Sequence, residues 1–263
     1  MLVSRRPGAL TAWGSAFLVG AESADHTDDA VRGDDALHRV AGVPGEDRTT
    51  TVAVALGRLR TAGVNSLRLV LPEPGDLTGM AGPPDVGAAA TAAGCAVLTV
   101  APPTAPSWAL IPTVEPSHGG DVVRWDLVEV APTVPPHGLP TLGEADRLVA
   151  EAMREATASL DVLDVAAGRE EVAARLAGIE RGLRRLDLPA SLPARAQRLV
   201  ASGSRLLAIT VLAADSDGAA VTAADAVARA EALRPLRRAA RYALCAGYSA
   251  LADPTSGADP GPR

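Results

Sequence analysis

Two carboxylates at the end of an apolar run are the first residues in this chain that could do chemistry. In residues 67–84, LRLVLPEPGDLTGMAGPP, Glu73 and Asp76 stand among Gly75, Gly79 and Gly82 and the prolines 72, 74, 83 and 84. Paired carboxylates suit a cation, a hydroxyl or an amine, and would repel a phosphate. Glycine permits turns that other residues resist. Proline removes an amide donor and holds the preceding residue extended, so Pro72 ends the run abruptly. Ligands of open α/β sheets gather beyond the carboxyl ends of strands. The loop is therefore the first ligand-site candidate, with Glu73, Gly75, Asp76, Gly79 and Gly82 as its residues. The plainer reading, a stiff exit from a strand, leads on residue type.

Other constellations fail on spacing. In residues 42–50, GVPGEDRTT, a phosphate loop would need a last glycine where Asp47 stands and a lysine where Arg48 stands; Thr49 or Thr50 as a helix cap explains the segment better. The acidic cluster Glu22, Asp25, His26, Asp28, Asp29, Asp34 and Asp35 puts Ala30 and Ala36 where a calcium loop needs glycine and a bidentate acid, so it reads as a solvated face. His26, His38, His118 and His137 are scattered through the first half, with no two close in sequence. There is no G-x-S-x-G elbow and no C-x-x-C pair; Cys95 and Cys245 read as buried reduced thiols, which points to a reducing cytoplasm. The sequence calls for no metal and no cofactor.

Arginine supplies the remaining chemistry. Arg234, Arg237, Arg238 and Arg241 follow i, i+3, i+4, i+7 and so share one helix face. Arg181, Arg184, Arg185, Arg195, Arg198 and Arg205 add to it against a single acid, Asp187. A solvated face is the plain reading; docking of a protein partner, or of the acidic first half of the chain, is the functional one. Nucleic acid is disfavoured, because no aromatics interleave with the arginines and no nucleic-acid motif is present.

The elements that must position these groups are drawn from an unusual alphabet. The 263 residues are 48% hydrophobic but only 2% aromatic, so the core rests on Ala, Leu and Val. All 25 basic residues are arginine, and the chain is lysine-free, as codon bias in a high-GC bacterium would produce. Residues 1–140 hold 9 Arg and 15 acids, a net of −6, whereas residues 141–252 hold 15 Arg and 14 acids, a net of +1. That shift places a boundary near residue 140.

At the start, Arg5 and Arg6 before an apolar segment resemble a twin-arginine export signal. The pattern is incomplete, and Leu10, Trp13, Phe17 and Leu18 share one helical face with Thr11 and Ser15 on another. An amphipathic helix of a cytoplasmic protein is the preferred reading, with export as the alternative. No apolar run is long enough to span a membrane.

Strand, helix, strand, helix, strand follow: strands at 36–43, 65–71 and 95–100, helices at 51–61 and 85–93. That succession predicts crossover connections and a partly parallel sheet, with 67–71 as an internal strand. The Pro-rich region 102–140 carries a hairpin, 108–114 with 122–130 around Ser117-His118-Gly119-Gly120, expected at one sheet edge with Trp108 and Trp125 facing each other. From 141 the pattern turns helical. Thr141-Leu142-Gly143-Glu144 is a capping box, and further helices are expected from about 172, from about 192, and from Thr222 with a kink or restart at Pro235. Residues 253–263 read as a disordered tail.

The fold class expected is thus α/β, with α+β as the alternative: a mixed α/β sheet domain over 1–140, then a bundle of about four helices over 141–252. The leading functional expectation is a non-catalytic protein-interaction or regulatory protein. Its rival is a small-ligand-binding protein or enzyme using loop 72–84.

Overall fold

A computed structural model of the chain describes residues 5–131, 138–160, 178, 181–182, 186–215 and 223–253. It forms two compact units: Met1–Leu139 with Asp187–Ala194 and Tyr248–Arg263, and Pro140–Leu186 with Arg195–Gly247. In chain order the first contains α1 (Arg5–Leu18), α2 (Ala24–Arg32), β1 (Leu37–Ala41), α3 (Val52–Thr61), β2 (Ser66–Val70), α4 (Pro84–Ala93), β3 (Ala96–Val100), β4 (Ser107–Glu115) and β5 (Val122–Val130). The helical unit is built on α5 (Leu142–Leu160), α6 (Ala194–Asp215) and α7 (Ala223–Tyr248).

The sheet is mixed, in the order β1-β5-β4-β3-β2, with β1 parallel to β5 and every other pair antiparallel. The hairpin forms over the expected residues, from Ser107 opposite Val130 to Glu115 opposite Val122, but at the centre of the sheet and not at its edge. Trp108 lies opposite Glu129, and Trp125 opposite Pro112, so the two indoles do not face each other. β2 is likewise not an internal crossover strand: it is an edge, antiparallel to β3. The hairpin is the local, cheap pairing, and once it takes the middle of the sheet the short strands β1 and β2 are left to the two rims.

An edge strand exposes unpaired amides. Here both rims are closed. Ser15 Oγ accepts from the Leu67 N–H at 2.9 Å and donates to its carbonyl at 3.3 Å, and Ser249 Oγ accepts from the Leu69 N–H at 2.9 Å. At the other rim Val40 exchanges two backbone hydrogen bonds with Thr50, each 2.9 Å.

These contacts require α1 to lie very close to β2, and its sequence allows it. A Cβ on Gly14 would stand 2.6 Å from the Leu67 side chain, and one on Gly8 2.5 Å from the Tyr248 ring. Two interior glycines weaken a helix on propensity alone, so close approach is what they supply. The helix is not amphipathic as expected. Thr11 and Ser15 are fully buried along with Leu10, Trp13 and Phe17, because sheet and neighbouring helices enclose it on all sides.

Strand alternation puts Leu67, Leu69, Val97, Leu110, Trp125 and Val40 on the face toward α1. On the opposite face Val70, Ala96, Leu98, Ala109, Ile111 and Val130 pack with Val86 and Ala90 of α4.

In the helical unit the capping box at the start of α5 is formed as expected: the Thr141 N–H donates to Glu144 Oε2 at 2.9 Å, and the Glu144 N–H to Thr141 Oγ1 at 3.3 Å. That pairing holds the Glu144 carboxyl below its usual range. α6 and α7 touch through glycines, Gly203 against Ala240 and Ala243, and Gly247 against Ala196 and Val200. α7 runs through Pro235 as one helix instead of restarting there. The helix expected from about 172 and the tail beyond Asp253 lie outside the described residues.

Candidate functional site

Loop 72–84 is tightly built. Glu73 and Asp76 exchange backbone hydrogen bonds of 3.0 and 2.9 Å around Pro74 and Gly75, whose φ is 84°. Asp76 Oδ1 also accepts from the Thr78 N–H at 3.2 Å. Gly79 carries Leu139, which a Cβ would approach to 2.6 Å, and Gly82 carries Val130 at 2.8 Å. Met80 and Ala81 pack on the α4 cluster. All three glycines thus have backbone or packing reasons to be glycine, and Glu73 and Asp76 are half-buried.

The arginine helices divide. Arg234, Arg237 and Arg238 are exposed, but Arg241, expected on the same face, is 5% exposed, so the exposed stripe is shorter than the sequence spacing implies. Tyr242 and Ala243, buried beside it, show that the core-facing side of α7 is wide enough to take in position 241. Arg238 lies over the Tyr242 ring, 5.1 Å from its centroid, and Arg234 pairs with Glu231. On α6, Arg195, Arg198 and Arg205 are exposed. At 100° per residue they fall within about 80° of the helix circumference.

Sequence spacing gave no hint of the densest polar constellation in the first unit. Arg6, at the start of α1, forks onto Asp35, Nε to Oδ2 at 2.7 Å and Nη2 to Oδ1 at 2.6 Å, and Nη2 also reaches Asp121 at 2.6 Å. Asp35 Oδ2 lies 3.0 Å from His38 Nε2, and the Trp125 indole N–H donates to His38 Nδ1 at 3.3 Å. An indole nitrogen only donates, so His38 Nδ1 must accept and Nε2 must carry the proton. The imidazole is neutral.

Burial pushes the His38 pKa below its ordinary value, with Arg6 adding in the same direction against the opposing pull of Asp35. Burial alone would raise the Asp35 carboxyl, but hydrogen bonds from Arg6 and His38 outweigh it and hold it below its ordinary range. Arg6 is raised, chiefly by its bond to Asp35. Histidine beside a carboxylate resembles half of a catalytic triad. This one has both ring nitrogens occupied and a side chain 3% exposed, so no ring atom faces a substrate.

The acidic stretch before β1 is therefore not a uniformly solvated face: Asp35 lies within this network, and Asp28 Oδ1 accepts from the Ala53 N–H at 2.8 Å. That carboxylate fills the start of α3, whose cap is Thr51 and neither Thr49 nor Thr50, and it leaves the phosphate-loop segment without an anion site there. Glu46 of the same segment pairs with Arg58. Among the described residues, no three His, Cys, Asp or Glu side chains group as a metal site. Both cysteines are buried thiols, and burial pushes the Cys95 thiol up to about 12.

The fold defines an α/β protein, a five-stranded mixed sheet flanked by helices, followed by a helical C-terminal region. The chain belongs to the Rv1486c-like protein family: residues 8–141 match that family's N-terminal domain and residues 143–245 its C-terminal domain. No curated protein and no solved structure matches it. No helix among the described residues is long and apolar enough to cross a membrane.

Proposed function

We propose that this chain is a non-catalytic protein-interaction or regulatory protein whose helical unit receives an acidic protein surface. One observation carries the reading. Along α6 and α7, the described side chains include six exposed arginines, Arg195, Arg198, Arg205, Arg234, Arg237 and Arg238, of which Arg195 pairs with Asp146 of α5 and Arg234 with Glu231. Guanidinium groups match carboxylates in paired geometry and lose less hydration than ammonium groups, which suits them to interfaces. Protein is favoured over single-stranded nucleic acid because all six aromatic side chains of the chain, Trp13, Phe17, Trp108, Trp125, Tyr242 and Tyr248, are buried and offer no stacking platform. The two buried thiols, and Arg5 and Arg6 engaged by Asp34, Asp35 and Asp121, support placement in the cytoplasm.

Fluorescence anisotropy with a labelled poly-glutamate peptide and with labelled single- and double-stranded DNA tests the reading. The peptide is expected to bind more tightly than either DNA at equal charge, with affinity falling as salt rises. Tighter binding of DNA, or no binding of the peptide at low salt, contradicts it. A midpoint rise with nucleotides, sugar phosphates or divalent cations, lost in Glu73→Gln/Asp76→Asn, would instead favour a ligand at loop 72–84.

A further inference from the structure

The imidazole of His38 is enclosed where two strands of different origin meet. β1 pairs in parallel with β5, and His38 lies opposite Val123, two residues before Trp125. The Trp125 ring is fully buried and the His38 side chain is 3% exposed, so neither has room to turn without disturbing the sheet. The charged groups around the imidazole come from every element packed there. Arg6 from α1 and Asp28 from α2 act on it through space, Asp35 before β1 touches it, and Asp121 before β5 reaches it through Arg6.

We propose that His38 is an acid-operated latch: protonating its Nδ1 sets two N–H donors against each other, His38 and Trp125, and releases the parallel β1–β5 seam. In the neutral state the ring bridges the strands, donating from Nε2 to Asp35 and accepting at Nδ1 from Trp125. A proton added at Nδ1 removes the only acceptor that the indole uses there, and a buried donor without an acceptor is costly. The new cation also faces Arg6, 2.7 Å from the shared carboxylate oxygen. Asp35 compensates in part, but it is already engaged by two nitrogens of Arg6.

The sign follows from linkage. The folded-state pKa of His38 lies below its ordinary 6.5, so the unfolded chain takes up the proton first as pH falls. The stabilisation is complete above that ordinary value and is lost progressively below it. A carboxylate whose pKa is depressed acts only at lower pH, so the two effects separate.

The test is a Tm profile from pH 7.5 to pH 5, paired with nitrogen-15 NMR of the imidazoles in the wild-type chain. The wild type is expected to lose Tm steadily across this window, and His38→Gln, which keeps a donor toward Asp35 but does not titrate, to lose much less. His26→Gln serves as control: His26, on α2, is half exposed, pairs with Glu22 and lies against the Trp13 ring of α1. NMR should show His38 as the Nε2–H tautomer, titrating below the ordinary 6.5. Trp125→Phe, which removes the opposing donor, should move that titration upward. An Nδ1–H tautomer, a His38 titration at or above the ordinary 6.5, or an unchanged pH slope in a folded His38→Gln chain would each overturn the proposal. The NMR readout needs no variant and can overturn the proposal even if the substitutions fail to fold.

Discussion

At the scale of single residues, hydroxyls and carboxylates act mainly as local satisfiers of backbone and charge. Ser15 is the sharpest case. Its one oxygen serves both the N–H and the carbonyl of Leu67 at a rim with no further strand. Ser15→Ala leaves both without a partner in a dry setting, and urea unfolding should show a loss of about 1–3 kcal/mol. A loss near zero would mean that water reaches the rim. Asp35 makes a prediction at lower pH. Its carboxyl is held below the ordinary 3.8, so it stabilises the fold above that value and the contribution disappears as pH falls through its folded-state pKa. Asp35→Asn should therefore lower Tm at neutral pH and narrow the gap from wild type in strong acid.

At the scale of elements, glycine marks where helices come close. Gly247 in α7 faces Val200 of α6, and a Cβ would stand 2.7 Å from the Val200 side chain and 3.1 Å from the Ala196 carbonyl. Gly247→Ala should cost about 1–3 kcal/mol through overpacking. Gly57 in α3 has nothing within 4 Å of its would-be Cβ, and Gly57→Ala should stabilise by about 0.5–1 kcal/mol through propensity. Chemical denaturation of both variants checks the pair, and the contrast in sign is the prediction.

The elements were also what the sequence made legible. The hairpin, the capping box at Thr141 and Glu144, and the helix–strand succession of the first unit all rest on local patterns, and the structure contains them. Sheet order was not legible, because the buried Leu67 and Leu69 of β2 read alike at an edge or in the interior; the hydroxyls that meet their amides at the edge, Ser15 and Ser249, are far away in sequence. The His38 network escaped for the same reason. Arg6 and Asp121 are 115 positions apart and His38 and Trp125 87, so no spacing rule joins them. The six acids of residues 22–35 and His26 are visible in the sequence, but their spacing reads as a solvated face and ties none of them to Arg6 or Asp121. Loop 72–84 was legible as a stiff segment, and its glycines have packing partners that no sequence displays.

At the scale of the whole molecule, charge is unevenly distributed: residues 1–140 hold 9 Arg against 15 acids, residues 141–252 hold 15 Arg against 14 acids, and exposed arginines lie along α6 and α7. An interaction steered by such a field weakens with ionic strength and depends on several arginines together. In the proposed function these arginines meet an acidic protein partner. The most direct measurement is quantitative capture from a native extract with the wild-type chain and with Arg234→Glu/Arg237→Glu, compared at low and high salt. A defined set of acidic proteins is expected to be held by the wild type at low salt, released at high salt and absent from the folded double variant. Equal capture by both chains, or a captured set that is nucleic acid-dependent and lost on nuclease treatment, would contradict it.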